Sequence, residues 1–244
     1  VGGFQPPPLP PPGAGAPGGT SGGARFVWDD RDRVGLGQAF LETSRQVLTG
    51  PTAFYRSMPV TGGLGSPLLY ALIAGWLGLA AAAVYQAIWV TIVGPTQLPF
   101  AVGRPELAEL FAFLESWTGL VAQLVFGGIS VVISVFVASG VLHVMLLILG
   151  GARHGFEATL RVVSFAQAPS LLLLLPFFLL PFCGLLLVVW SLALYAIGLA
   201  QAQQAGGGRA AAAVLLPILA LCCCCSAALL TFAGAIASLV SHAR

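Results

Sequence analysis

Long apolar stretches fill the chain from Pro67 onward, while the residues before it alternate between Pro/Gly-rich and charged stretches. Within that first part, Leu36, Phe40, Leu41, Val47 and Leu48 recur at helical spacing. Glu42, Arg45 and Gln46 take the opposite face. The pattern predicts a short amphipathic helix that stops at Gly50-Pro51. A second short helix, Thr52 to Met58, presents Phe54, Tyr55 and Met58. Helices of this kind ahead of a membrane span either lie in the headgroup plane or pack on the protein's own cytoplasmic face. The pattern leaves both open.

A membrane span needs about 20 apolar residues. The first uncharged segment runs from Leu68 to about Val93, with Tyr70 and Trp89 near its ends as interfacial aromatics. The next stretch, Pro95 to Glu115, is a loop, and Pro105 to Leu114 within it reads as a surface helix opened by proline. Trp117 to Leu149 would reach about 50 Å as one helix. It is read as one long, tilted span, with a kink or a re-entrant start at Gly127-Gly128 as the alternative. Ser164 to Ala200 carries no charge and would reach about 55 Å, so two spans are expected. Their turn falls among Pro176, Pro181 and Gly184. Ala210 to about Val240 is the last span.

The expected fold class is therefore all-α: a polytopic membrane protein with a bundle of five transmembrane helices. Residues 1–24 precede it as a disordered linker with seven Pro and eight Gly. The run Pro6 to Pro12 favours polyproline II, as a spacer or as a ligand for an aromatic groove. Residues 25–66 form the cytosolic or interfacial amphipathic region, and residues 67–244 the membrane domain. No signal-peptide pattern opens the chain, and Val1 in place of Met leaves room for a preceding segment.

Composition reinforces this reading. Hydrophobic residues make up 58% of the 244 and charged ones only 7%, against roughly 25% charged in a soluble domain. A soluble enzyme is thereby disfavoured. A net charge of +2 without clustered cations gives no footprint for nucleic acid. The placement of the arginines sets an orientation. Arg25, Arg31, Arg33, Arg45 and Arg56 precede the first span, and Arg153 and Arg161 fall in the second loop. The positive-inside rule then places the N-terminus and that loop in the cytoplasm, in an inner (plasma) membrane.

Few side chains in the spans could carry chemistry. His143 is the one ionisable group well inside a span, thiols apart, and Ser139 stands four residues before it. With no supporting motif, a hydrogen bond to a neighbouring helix is the expected role. Cys222 to Cys225 are consecutive, so at 100° per residue they cannot converge on one metal. They are expected to pack within the bundle as small apolar groups. No cofactor, metal or catalytic set is expected. Glu157 and Arg161 are spaced to pair on a helix face. Pro169, Pro176, Pro181 and Pro217 read as kinks, or as breaks that open a transport site.

The chain resembles the Yip domain (Ypt/Rab-interacting protein) membrane family, in its prokaryotic branch. The resemblance covers about residues 36–240. It rests on Phe40 to Met58 with its Pro51-Thr-Ala-Phe54-Tyr-Arg-Ser-Met58 stretch and on Gly150-Gly151. It rests also on Phe156-Glu157-Ala-Thr-Leu-Arg-Val-Val-Ser-Phe-Ala-Gln-Ala-Pro169, the Trp190 to Gly198 stretch and Pro217. It implies five transmembrane helices with a cytosolic N-terminus. Eukaryotic members bind prenylated Rab-type GTPases, but no motif here carries that role over residue by residue.

Two functions follow. The first is a non-enzymatic membrane adaptor or organiser. It would hold membrane or cytosolic proteins, or a second copy, through Trp28, Phe40, Phe54 and Tyr55 and through the second loop at Arg153, Glu157 and Arg161. The alternative is a small permease or transporter component with a site among His143, Gln123, Pro169 and Pro176. The lipid bilayer is a partner in both.

Overall fold

Glycine and proline set the boundaries of nearly every helix. The computed structural model describes residues 26–94, 105–175 and 181–242, so the linker and Pro176 lie outside the described residues. A 3-10 turn, Val27–Asp30, leads into α1 (Arg31–Val34), α2 (Leu36–Thr49) and α3 (Pro51–Ser57). Pro51 opens α3 at a position where its missing N–H costs no bond. Then come α4 (Gly65–Val93), α5 (Pro105–Glu115) and α6 (Trp117–Ile148). They are followed by α7 (Phe156–Phe165), a 3-10 helix (Ala168–Leu174), α8 (Pro181–Ala202) and α9 (Gly207–His242). All described elements are helical.

Four helices among the described residues, α4, α6, α8 and α9, are long and apolar enough to cross a membrane. The third of the five expected spans is not a continuous helix. Proline cannot donate to the carbonyl four residues back and clashes with it. For Pro169 that carbonyl belongs to Phe165, where α7 ends. The chain goes on as the 3-10 helix, with Pro169 buried.

This broken segment runs beside α4. Near its start, Glu157 accepts the Gly63 N–H at 2.7 Å. Further along, the Ser170 hydroxyl donates to the Ala74 carbonyl at 2.9 Å, where Gly78 allows close approach. At the far end, the Tyr85 hydroxyl donates to the Leu174 carbonyl at 3.3 Å. From Gly65 to Tyr85, α4 rises about 30 Å, the thickness of the hydrocarbon core.

The expected single long span forms, without a break at Gly127-Gly128. α6 is a single helix of 32 residues, and Gly127 instead seats the Leu79 and Trp76 side chains of α4. The Trp76 indole N–H donates to the Leu124 carbonyl at 2.9 Å, which adds a polar tie to that seam.

α7 is the hub of the bundle. Ala158 through Phe165 are all buried, packed among α4, α6 and α8. On α8, Gly198 admits Tyr55 of α3 and Val162 of α7. A Cβ there would overlap Val162 Cγ1 and stand 3.1 Å from Tyr55 Cζ. Gly198→Ala is expected to cost about 1–3 kcal/mol through overpacking. A lowered unfolding temperature of the purified chain would register it, and an unchanged one would show that α3 can give way.

The residues ahead of α4 close one end of the bundle as a cap. Phe26, Trp28, Phe40, Phe54, Tyr55, Tyr70 and Phe165 form a chain of ring contacts with centroids 5.1 to 6.5 Å apart. Edge-on and tilted geometries dominate, as ring quadrupoles favour. The Trp28 indole N–H donates to the Ser66 carbonyl at 2.8 Å, and the Tyr70 hydroxyl pairs with Ser44 at 2.9 Å. Burial pushes the Tyr55 phenol well above its ordinary range.

Candidate functional site

The capped end holds most of the polar chemistry that the sequence singles out, and its centre is Arg161. Glycine in a left-handed conformation turns the chain at Gly150, after α6, so that α7 folds back onto the bundle. This places Arg161 beneath the Pro59–Gly63 loop. The side chain is 2% exposed. Its Nε donates to Glu157 Oε1 at 3.2 Å, Nη1 to the Pro59 carbonyl at 3.2 Å and Nη2 to the Gly63 carbonyl at 3.1 Å. Glu157 in turn takes the Gly63 N–H. Gly63 is thus gripped at both its N–H and its C=O, and the cap is tied to α7.

The expected Glu157–Arg161 pair therefore forms. Arg161, however, faces inward and not toward a partner. Reversing its charge would set a carboxylate against Glu157 and two carbonyls, so such a variant is expected to disturb the bundle itself. Arg153 is exposed on the loop after α6 and meets no carboxylate among the described residues. Trp28, Phe40, Phe54 and Tyr55 are 0 to 8% exposed. They build the aromatic core of the cap and are not the contact surface foreseen for them. The two outcomes open for the amphipathic helices thus resolve, on this face, toward packing on the protein itself.

A second polar cluster ties α6, α7 and α8. His143 Nδ1 lies 3.0 Å from Thr159 Oγ1. Gln203 is fully buried and donates to Thr159 Oγ1 at 3.0 Å and to the Gly155 carbonyl at 3.2 Å. It also accepts the His154 backbone N–H at 2.7 Å. His143 thus has the interhelical bond expected of it, with Phe156 edge-on to its ring at 5.8 Å. Ser139 donates instead to the Val135 carbonyl at 2.6 Å. Sequence reading missed Gln203, since a glutamine in a Gly-rich turn looks solvated. Only its place just past a long apolar run hints otherwise.

The residues grouped for a transport site are not brought together. Gln123 and His143 both lie on α6, about 30 Å apart along the helix. Gln123 donates to the Leu114 carbonyl of α5 at 3.0 Å, at the other end of the bundle. Pro169 is buried on the 3-10 helix.

The cysteine run also departs from expectation. Cys222 to Cys225 are all exposed. Beyond Pro217, residues 218–228 of α9 are all exposed, so among the described residues nothing shields the thiols on any side of the helix.

The exposed part of the cap is small. Val34, Leu36 and Leu41 are 40, 48 and 68% exposed. With Val27, Gln38, Glu42 and Arg45, two of them line a shallow groove of about 490 Å³ on the outer face of α2. Arg45 reaches Glu42 at 2.7 Å, and the Arg45 and Gln46 bonds hold the Glu42 carboxyl down at about 2.

These features define a class: a multi-pass, all-helical membrane protein whose N-terminal helices cap one end of the bundle. Residues 45–230 match the Yip1 domain, and the chain belongs to that family. The matched span runs from α2 through most of α9. No curated protein and no solved structure matches the chain.

Proposed function

We propose that this Yip1-family protein is a non-enzymatic membrane adaptor or organiser that presents its capped end to cytosolic or membrane proteins from an inner (plasma) membrane. The observation that carries the reading is the fate of the polar side chains. Arg161, Gln203, Thr159 and Gln123 each make bonds that join one element to another. A transport route needs such groups aimed into a passage. In this reading the broken Phe156–Leu174 segment supplies the fifth crossing, and the capped N-terminus is cytoplasmic.

With the aromatics buried, the contact surface moves to the groove on α2 and to Arg153. The test is capture of partners by the full tagged chain from its native membrane in mild detergent. Leu41→Asp is expected to lose at least about fivefold of a captured partner, since truncating a residue that anchors an interface costs over about 1 kcal/mol. Circular dichroism of that variant should be unchanged, because Leu41 is outside the core. Capture that is equal for Leu41→Asp, Arg153→Glu and the parent chain would remove the adaptor reading. Solute flux in proteoliposomes, abolished by His143→Ala, would replace it with the permease.

A further inference from the structure

The exposed arginines at the capped end fall into two groups with different surroundings. On the α1–α2 side, Arg33 lies 4.0 Å from Asp30 and Arg45 2.7 Å from Glu42. On the other side stand Arg56, Arg153 and Arg209, all exposed. None of these three meets a carboxylate among the described residues.

The acidic residues explain the difference. Of the eight, Asp29, Asp30, Asp32 and Glu42 lie in or beside α1 and α2. Glu106, Glu109 and Glu115 lie in α5, between the far ends of α4 and α6. Only Glu157 remains near the second group, and it is held by Arg161 and Gly63.

The second group forms one rim. Arg56 Nε donates to Gln201 Oε1 at 3.5 Å, on the last turn of α8. Arg209 Nη1 donates to the Gly150 carbonyl at 3.3 Å. Gly151 is close enough that a Cβ there would stand 3.2 Å from Ala205 Cβ and 3.7 Å from Arg209 Cβ. The loop that carries Arg153, the α8–α9 turn and α3 therefore meet around the end of α8. Among the described residues, Arg56 and Arg209 each use one nitrogen on the protein, and Arg153 uses none. The remaining N–H groups have the forked geometry that suits a phosphate.

We propose that the rim of Arg56, Arg153 and Arg209 binds the phosphate groups of anionic lipids in the leaflet that surrounds this end of the bundle. The placement favours lipid over a soluble partner. Arg153 follows α6 by a few residues, Arg209 sits in the first turn of α9, and Arg56 abuts the last turn of α8. Each guanidinium is thus close to the end of an apolar helix, at headgroup depth. The attraction of an anionic leaflet is largest there and decays within a Debye length. The inference does not depend on the adaptor reading.

The test uses the full chain in phosphatidylcholine vesicles that carry a trace of spin-labelled phosphatidylglycerol or spin-labelled phosphatidylcholine. The quantity read is the preference for the anionic label in the motionally restricted fraction. The parent chain should prefer phosphatidylglycerol, and the preference should fall with ionic strength. Arg56→Gln, Arg153→Gln and Arg209→Gln together should reduce it at least about fivefold, the effect of one surface arginine. Arg33→Gln with Arg45→Gln should leave it unchanged, and the three lysine replacements at the rim should keep most of it. The proposal is overturned if the rim glutamines keep the preference. It is also overturned if the lysine set loses the preference as fully and unfolds earlier, because the rim is then structural. A captured protein lost with the glutamine set at unchanged lipid preference would assign the rim to that protein instead.

Discussion

Arg161→Ala is expected to destabilise the purified chain by about 3–5 kcal/mol, the cost of removing one partner from a buried ionic tie. That is a large share of the 5–15 kcal/mol that holds a typical domain together. An exposed pair of the same spacing, such as Arg45 with Glu42, contributes far less. The difference comes from what the guanidinium leaves behind. The Pro59 and Gly63 carbonyls lose their donors, and Glu157 keeps only the Gly63 N–H. Arg161→Lys should fall between the two, because an ammonium retains the charge and lacks the planar fork. Glu157→Gln should be milder, since Glu157 is 28% exposed against 2% for Arg161. Thermal unfolding in detergent reads the series. A parent-like midpoint for Arg161→Ala would show that water replaces the tie without loss.

Trp28→Ala should cost a similar about 3–5 kcal/mol, by a different route and with a different outcome. Trp28 is fully buried, stacks edge-on to Tyr70 at 5.2 Å and donates to Ser66. Its removal opens a cavity under α2 without touching the seams between α4, α6 and α8. The cap should therefore open locally while the bundle stays folded. Limited proteolysis should cut faster in the exposed Thr61–Gly63 stretch, with helix content nearly unchanged. Arg161→Ala should instead loosen cap and bundle together, because α7 belongs to both. Trp28→Phe keeps most of the packing and loses the indole bond, so it isolates a contribution of about 1 kcal/mol. Equal cleavage of Trp28→Ala and the parent chain would show that the cap does not depend on this side chain.

The boundaries that follow from proline, glycine and apolar run length were legible in the sequence. Leu68 to about Val93 became Gly65–Val93, Trp117 to Leu149 became Trp117–Ile148, and the proline-opened surface helix became Pro105–Glu115. The long span around Gly127 stayed whole because the glycines face a neighbour's side chains, which run length alone does not reveal. What faces what was less legible. Arg161 reads as a loop charge until the Pro59–Gly63 carbonyls are placed over it. The thiols of Cys222 to Cys225 read as bundle packing, since the sequence does not show that residues 218–228 of α9 are exposed. The aromatics ahead of Pro67 fitted a contact surface and a core equally well. Spacing along one helix decides which residues share a face, and only the partner helix decides whether that face is covered.

The break at Phe165 also bears on how the chain is made. A short helix with an arginine, followed by a 3-10 stretch, is a poor candidate to enter lipid alone, because a central arginine costs about 2.5–3.5 kcal/mol on insertion scales. Synthesis runs from the N-terminus, so the Pro59 and Gly63 carbonyls and the whole of α4 emerge before Arg161 does. Each acceptor for that guanidinium, Glu157 included, is already present when it arrives. The segment can dock against a helix that is in place, and the order of residues along the chain doubles as an order of assembly.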